Sequence, residues 1–384
     1  MVVAAIFTVL SIAGALVTSI QTLLTVMFRR RPRPFAGGLH EQASRPDVSS
    51  VTVSILKPVC GLDDGLEPNL LSFLSLHGVR YEVILSIEDR DDEAMPTATA
   101  MVRDHPDVFR LVTGGGSRHG VVNRKVERLI AAARVARGDI FLISDSNVRV
   151  DRDDVRETIA DFADKRIGCI SNLFIGEGAQ DLGATIESLH LMTFVAPGAV
   201  LAASAGVPCV VGKSMAISRR ALNAIGGFEV FRHVLAEDQA IGLAVRAAGF
   251  EVGLSRVRVR NVIERRTIKR ALDRQIRWNK IRYSFSRALF TSELILNPLP
   301  LAIAAVIFGA PLALLAIVVL ARIIQGLLLR DALDSSLSVR QLCAMPLLDF
   351  VMFYAWFVPF FSNRITWRGY EARIERGTEL VRAA

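Results

Sequence analysis

Ile140-Phe141-Leu142-Ile143-Ser144-Asp145-Ser146-Asn147 is the stretch on which the reading of this chain turns. Four consecutive apolar residues with isoleucine at both ends have the length and character of a buried strand. A carboxylate follows directly, at the strand's C-terminal end. The pattern occurs earlier too, where a β-branched stretch over residues 81–87 runs into Glu88-Asp89. A third such run covers residues 51–56. Between these runs, residues 66–76, 93–103 and 125–137 carry apolar positions at helical spacing. The alternation predicts an α/β fold, a mostly parallel sheet covered on both faces. Sheets of that kind meet ligands beyond the C-terminal ends of their strands, where Asp89 and Asp145 fall.

Further along, the pattern predicts a helix over 153–165, a strand over 167–171 and a helix over 181–195. The small, apolar stretch 196–206 is broken by Pro197 and Gly198. It reads either as a core helix or as a surface dipping into lipid headgroups. A strand over 208–218 follows, then a helix over 236–249 that Gly249 stops. Residues 267–289 are basic on one side and aromatic on the other, which fits an interfacial helix. Gly114-Gly115-Gly116 lacks the Lys-Ser/Thr ending of a phosphate loop and reads as a flexible loop. Asn123 and Lys125, just after it, are better placed to touch a phosphate or base.

The chain has 384 residues, 51% of them hydrophobic, which is more apolar than a soluble protein of this size. The excess sits at the two ends. Residues 2–27 are almost wholly apolar and are followed by Arg29-Arg30-Arg31-Pro32-Arg33. Positive charge after the apolar run marks a retained transmembrane helix rather than a secretory signal. Residues 299–329 form either one tilted span or a broken pair, and 342–361 a further span. The basic tail then predicts N-terminus outside, with domain and tail in the cytoplasm. Expected boundaries are 1–28 for the first span, 29–50 for a linker and 51–265 for the α/β domain. Residues 266–290 follow as the interfacial helix, 299–361 as the C-terminal membrane region and 362–384 as the tail. The net charge of +8 belongs to the membrane flanks, and no aromatic-interleaved basic motif points to nucleic acid. The four cysteines form no CxxC pair, and the histidines show no metal spacing.

Three groups carry chemistry. Asp145, with Asn147 two residues on, could share a hard divalent cation with substrate phosphates, or could simply make a turn. Asp238, beside Glu237 at a predicted helix start, reads as a general base or as a helix-dipole acid. Arg274 and Arg277 lie three apart on one helix face, with Trp278 adjoining. Two guanidinium forks suit a diphosphate, while Arg and Trp beside an apolar tract also suit membrane anchoring.

In order along the chain stand Ile55-Leu56-Lys57-Pro58-Val59-Cys60-Gly61, Glu88-Asp89-Arg90-Asp91-Asp92, Asn123-Arg124-Lys125 and Ser144-Asp145-Ser146-Asn147. They are followed by Val211-Gly212-Lys213-Ser214-Met215, Gly226-Gly227-Phe228, Ala236-Glu237-Asp238 and Arg274-Gln275-Ile276-Arg277-Trp278. This set resembles the membrane-bound inverting glycosyltransferases with an Asp, Asp-x-Asp, Glu-Asp, (Gln/Arg)-x-x-Arg-Trp signature. Within them it is most similar to the ceramide glucosyltransferase family. The resemblance covers about residues 50–285. It implies a GT-A type domain for nucleotide-diphospho-sugars, a Mg or Mn ion, a UDP-glucose donor and a ceramide acceptor. Hopanoid acceptors and other UDP-sugars, such as galactose or glucuronic acid, remain within its reach. Carried over, Lys57, Asp89 and Lys125 hold the uridine and diphosphate side. Asp145 helps hold the metal, and Asp238 deprotonates the acceptor hydroxyl. Arg274, Arg277 and Trp278 bind the diphosphate and close the site. The implied setting is a membrane, bacterial inner membrane included, with the catalytic domain on the cytoplasmic face. Asn147 departs from the family pattern, standing where the broader signature has an acid.

Overall fold

The computed structural model describes residues 1–30, 50–114, 123–367 and 370–382. The linker expected over 29–50 therefore lies almost wholly outside the described residues, as does the glycine loop beyond Gly114. The chain divides into two compact units. One comprises Arg31–Phe174 and Ala202–Val262; the other comprises Met1–Arg30, Ile175–Leu201 and Ile263–Ala384.

The first unit carries the sheet. Its strands are β1 (Thr52–Val59), β2 (Arg80–Ile87), β3 (Phe109–Thr113), β4 (Ile140–Ser144), β5 (Val148–Arg149), β6 (Ile167–Glu177), β7 (Ser214–Ser218) and β8 (Glu251–Val262). They lie in the order β3-β2-β1-β4-β7-β6-β8-β5. β1 pairs in parallel with β2 and β4, and β2 with β3. β7 runs antiparallel to both β4 and β6, and β5 antiparallel to β8. The sheet is thus mixed where the alternation predicted mostly parallel, because an apolar run reveals a strand and not its direction. Every residue of β1 from Val53 to Val59 is buried, so helices cover both faces and the strand reads as a continuous apolar run.

The Arg124–Val135 helix begins where the Asn123 side chain accepts the Lys125 and Val126 N–H groups. Its Val126, Leu129 and Ile130 pack into one core with Leu56, Ile84, Phe141, Ile217 and Phe228. Burying each such side chain contributes about 1.5–3 kcal/mol. The Glu237–Ala247 helix stops as expected, with Gly249 at φ 88°.

The second unit is helical. Val2–Arg30, Leu182–Ser204, Leu312–Ala332 and Val339–Phe360 are long and apolar enough to cross a membrane. A further pair, Arg287–Leu296 and Pro298–Ile307, is bent by 67°. The apolar tract over 299–329 is therefore broken, into Pro298–Ile307 and Leu312–Ala332. Pro197 and Gly198 do not break their helix. A π-helical turn over Leu191–Val195 precedes them, and the Ala196 N–H already reaches back to the Leu191 carbonyl. The hydrogen-bond ladder has shifted before it meets the proline. The tail, expected only to be basic, forms a small sheet: β9 (Arg364–Trp367), β10 (Tyr370–Ile374) and β11 (Leu380–Arg382).

A buried polar network ties three of these helices together. Arg322 meets Asp349 through two bonds, Nε–Oδ2 at 3.0 Å and Nη2–Oδ1 at 2.5 Å. Its Nη1 donates to Gln325 Oε1 at 3.1 Å, and Gln325 Nε2 donates to Ser19 Oγ at 3.0 Å. Polar groups this far from water persist only when paired in this way.

Candidate active site

Asp145 stands one residue past β4, and its carboxylate bridges two lysines. Lys125 Nζ lies 3.0 Å from Oδ1, and Lys213 Nζ lies 3.0 Å from Oδ2. A third lysine approaches from below: Lys57 Nζ donates to the Asp145 carbonyl at 2.9 Å and to Ser144 Oγ at 3.3 Å. Burial works against a charge on Asp145. The two ammonium groups outweigh it and hold the carboxyl well below the usual carboxylate range. Lys57 is wholly enclosed, with Phe73 4.3 Å from its ammonium. Desolvation pushes it down to about 7, against the pull of Asp145 and Asp63.

Lys125 joins this station to the next. Its Nζ also lies 3.0 Å from Glu237 Oε1 and donates to the Gly212 carbonyl at 3.0 Å. Burial opposes its charge, but Asp145, Glu237 and Asp238 together raise it above the ordinary lysine value. Asp238 sits in the first turn of the Glu237–Ala247 helix. Its Oδ2 accepts the Gly212 N–H at 2.5 Å, and its Oδ1 accepts the Gln239 N–H at 2.8 Å. Desolvation, with Glu237 beside it, pushes Asp238 up to about 6; Lys125 and the two peptide N–H groups partly offset this. A carboxylate of that strength is ionised at neutral pH yet basic enough to take a proton.

The residues singled out from the sequence thus separate. Lys57, Lys125, Asp145 and Asp238 gather at one end of the sheet. Asp89 is exposed at the end of β2, where its carboxylate accepts the Asp91 N–H at 3.0 Å. No hydrogen bond or ion pair among the described residues joins it to the lysine cluster. Asn123, expected near a phosphate or base, is instead fully buried as the helix cap, and its Nδ2 donates to Glu237 Oε2 at 2.9 Å. Lys213 and Glu237 join the cluster unannounced by the sequence: Glu237 adjoins Asp238, and Lys213 reaches Asp145 only through the pairing of β4 with β7.

In the helical unit, the Ile268–Phe285 helix carries the Arg-x-x-Arg-Trp motif. Arg274 pairs with Glu187 at 3.3 Å, and its guanidinium lies 4.3 Å from the centre of the Trp278 ring. Trp278 meets His190 edge-on at 5.8 Å, and His190 stacks on Phe194 at 5.2 Å. Arg277 is half-buried on the same helix face.

The donors around Asp145 decide whether a divalent cation fits. Among the described residues, no three His, Cys, Asp or Glu side chains gather as a ready-made metal site. Two oxygens do converge, however: Lys213 Nζ is 3.0 Å from Asp145 Oδ2 and 2.9 Å from Asn147 Oδ1. A carboxylate and an amide oxygen already focused on one cationic point suit a hard ion that takes its remaining ligands from substrate phosphates and water.

The mixed sheet with its site at the strand ends is a GT-A type fold. The fold agrees with that of a solved structure, the mannosyltransferase PcManGT from Pyrobaculum calidifontis in complex with GDP-Man and Mn2+. The two match with a TM-score of 0.55 at 16% identity, over 94% of this chain and 99% of that one. The sequence matches Glycosyl transferase family 21 over residues 9–380, and the chain belongs to that family. It is 26% identical over 256 residues to ceramide glucosyltransferase 1 of Caenorhabditis elegans, covering 66% of this chain and 54% of that protein. Against ceramide glucosyltransferase 3 of the same animal it is 25% identical over 262 residues, 68% of this chain and 56% of the relative. The matched region spans about half the length of these relatives. The chain is thus a member of a glycosyltransferase family with several helices long and apolar enough to cross a membrane.

Proposed function

We propose that the chain transfers a glucosyl group from UDP-glucose to the primary hydroxyl of ceramide, with inversion, giving β-glucosylceramide. The observation that carries the reading is the adjacency of two stations. Lys125 touches the Asp145 carboxylate and the Gly212 carbonyl, and the Gly212 N–H donates to Asp238, a buried, weakly basic carboxylate. The first station suits a diphosphate and the second suits an alcohol.

On this reading Lys57, Lys125 and Lys213 offer positive charge to the diphosphate, and Asp89, Arg274, Arg277 and Trp278 serve donor binding. Asp145 and Asn147 would hold a Mg or Mn ion, which would supply charge to offset the leaving diphosphate. Asp238 takes the proton of the acceptor hydroxyl. The hydroxyl oxygen attacks the anomeric carbon in line, the bond from that carbon to the diphosphate oxygen breaks, and UDP departs with the electron pair. Direct displacement converts an α-linked donor into a β-glycoside. The apolar helices support a site at a bilayer, and on this reading the catalytic domain lies on the cytoplasmic face of a bacterial inner membrane, where a nucleotide sugar and a lipid can meet.

The test uses membranes containing the full chain, labelled UDP-glucose, UDP-galactose and UDP-glucuronic acid, and a panel of lipids. Label from UDP-glucose on ceramide is expected. Label on a hopanoid, or from another UDP-sugar, would replace the substrate assignment, and transfer to no lipid would overturn it.

A further inference from the structure

Glu237 is almost fully buried and both of its oxygens are engaged, Oε1 with Lys125 Nζ at 3.0 Å and Oε2 with Asn123 Nδ2 at 2.9 Å. A buried carboxylate with two fixed partners is held in one place. From there a closed circuit runs to its neighbour in sequence. Lys125 Nζ donates to the Gly212 carbonyl at 3.0 Å, and the Gly212 N–H donates to Asp238 Oδ2 at 2.5 Å. The two peptide groups that flank the Gly212 Cα therefore touch the ammonium through one and the carboxylate through the other. The gap it fills is tight. A Cβ at Gly212 would stand 2.9 Å from Lys125 Nζ and 3.0 Å from Asp238 Oδ2, so a side chain there would wedge the two charges apart.

We infer that Glu237 is a positioning residue for the base: acting directly and through the Lys125 ammonium, it sets how readily Asp238 takes a proton, while Gly212 fixes the spacing. The inference rests on the reading of Asp238 as the base. Glu237 acts in two ways of the same sign. Its charge disfavours ionisation of Asp238, and it draws Lys125 toward itself, which lessens the ammonium's stabilisation of the Asp238 anion. Among the described residues, the other titratable groups facing Asp238 are two thiols, Cys169 on β6 and Cys209 ahead of β7. Burial first, and Asp238 second, push these up to about 12 and about 11, so they stay neutral over the working pH range. Asp145 and Lys213 stand beyond Lys125, and saturating UDP-sugar keeps their surroundings constant.

The experiment measures kcat against pH for the full chain in membranes, with UDP-glucose and ceramide saturating. Wild type should lose rate on the acidic side as Asp238 protonates. Glu237→Gln should move that limb down by about one pH unit, with a lower plateau because the base is weaker. Gly212→Ala should move it up, since Lys125 is pushed off and the hydrogen bond from the residue-212 N–H to Asp238 loosens. Glu237→Asp keeps the charge and should return the limb toward its wild-type position. A merely structural role would lower the rate at every pH without moving the limb. An unmoved limb in both variants, or movement in the same direction, overturns the inference. Full turnover by Asp238→Asn would instead overturn the base assignment on which it rests.

Discussion

Two buried ion clusters in this molecule look alike by composition and differ in closure. In the helical unit, Arg322 and Asp349 pair one to one through two bonds, and Gln325 passes the network on to Ser19 on the first helix. That cluster is neutral and its hydrogen bonds point inward. In the α/β unit, Asp145 faces three lysines, two at its carboxylate and one at its carbonyl. Lys57 is destabilised there by burial, and its charge is only partly met. A one-to-one pair between helices stabilises an assembly. In the α/β unit the ammonium groups are shared rather than paired, since Lys125 also meets Glu237 and Lys57 also feels Asp63, and shared cations at strand ends can turn to an anionic ligand.

Breaking the open cluster should affect turnover and leave folding largely intact; breaking the closed one should do the reverse. The largest effect is expected at the base. Asp238→Asn should lower kcat by roughly 10²- to 10⁴-fold while UDP binding, measured by calorimetry, stays near wild type. Equal loss of UDP binding would make Asp238 a donor-site residue. Next comes the closed pair. Arg322→Met leaves a buried carboxylate unpaired and should cost about 3–5 kcal/mol, read as a lower melting temperature in detergent. Arg322→Met combined with Asp349→Leu should recover most of that loss, because no charge is left alone. If the single and double variants melt together, the pair contributes nothing specific. Lys213→Met should raise the KM for UDP-sugar by roughly 10- to 100-fold with little change in melting temperature. The smallest effect is expected at Arg277→Lys, a several-fold loss in kcat/KM, since a point charge cannot replace a planar fork. Activity equal to wild type would assign Arg277 to membrane anchoring.

The contrast also explains what could be read in the sequence. Strands β1, β2 and β4 announce themselves as apolar runs because both faces of the sheet are covered. Asp145 announces itself by following one of them. Lys213 does not, because its placement depends on strand pairing. Antiparallel register sets Ser144 opposite Ser214, and that register brings Lys213 beside Asp145. No local pattern encodes which strand lies next to β4. β8 was missed because its burial alternates along Ser255–Val262 with arginines between, and the long polar side chains mask a half-buried strand. The C-terminal sheet was missed because basic charge near a membrane segment already explained the composition. Glu237 was visible beside Asp238, but only the three-dimensional circuit through Lys125 and Gly212 gives it a part.

The central claim is that an alcohol on a membrane lipid, deprotonated by Asp238, displaces UDP from an α-linked sugar in a single step. The most direct measurement is the anomeric configuration, by proton NMR, of the lipid formed from UDP-glucose and ceramide by membranes containing the full chain. One β-linked glucose per ceramide is predicted. An α-linked glucose, a sugar chain, or the absence of any lipid-bound sugar would contradict it.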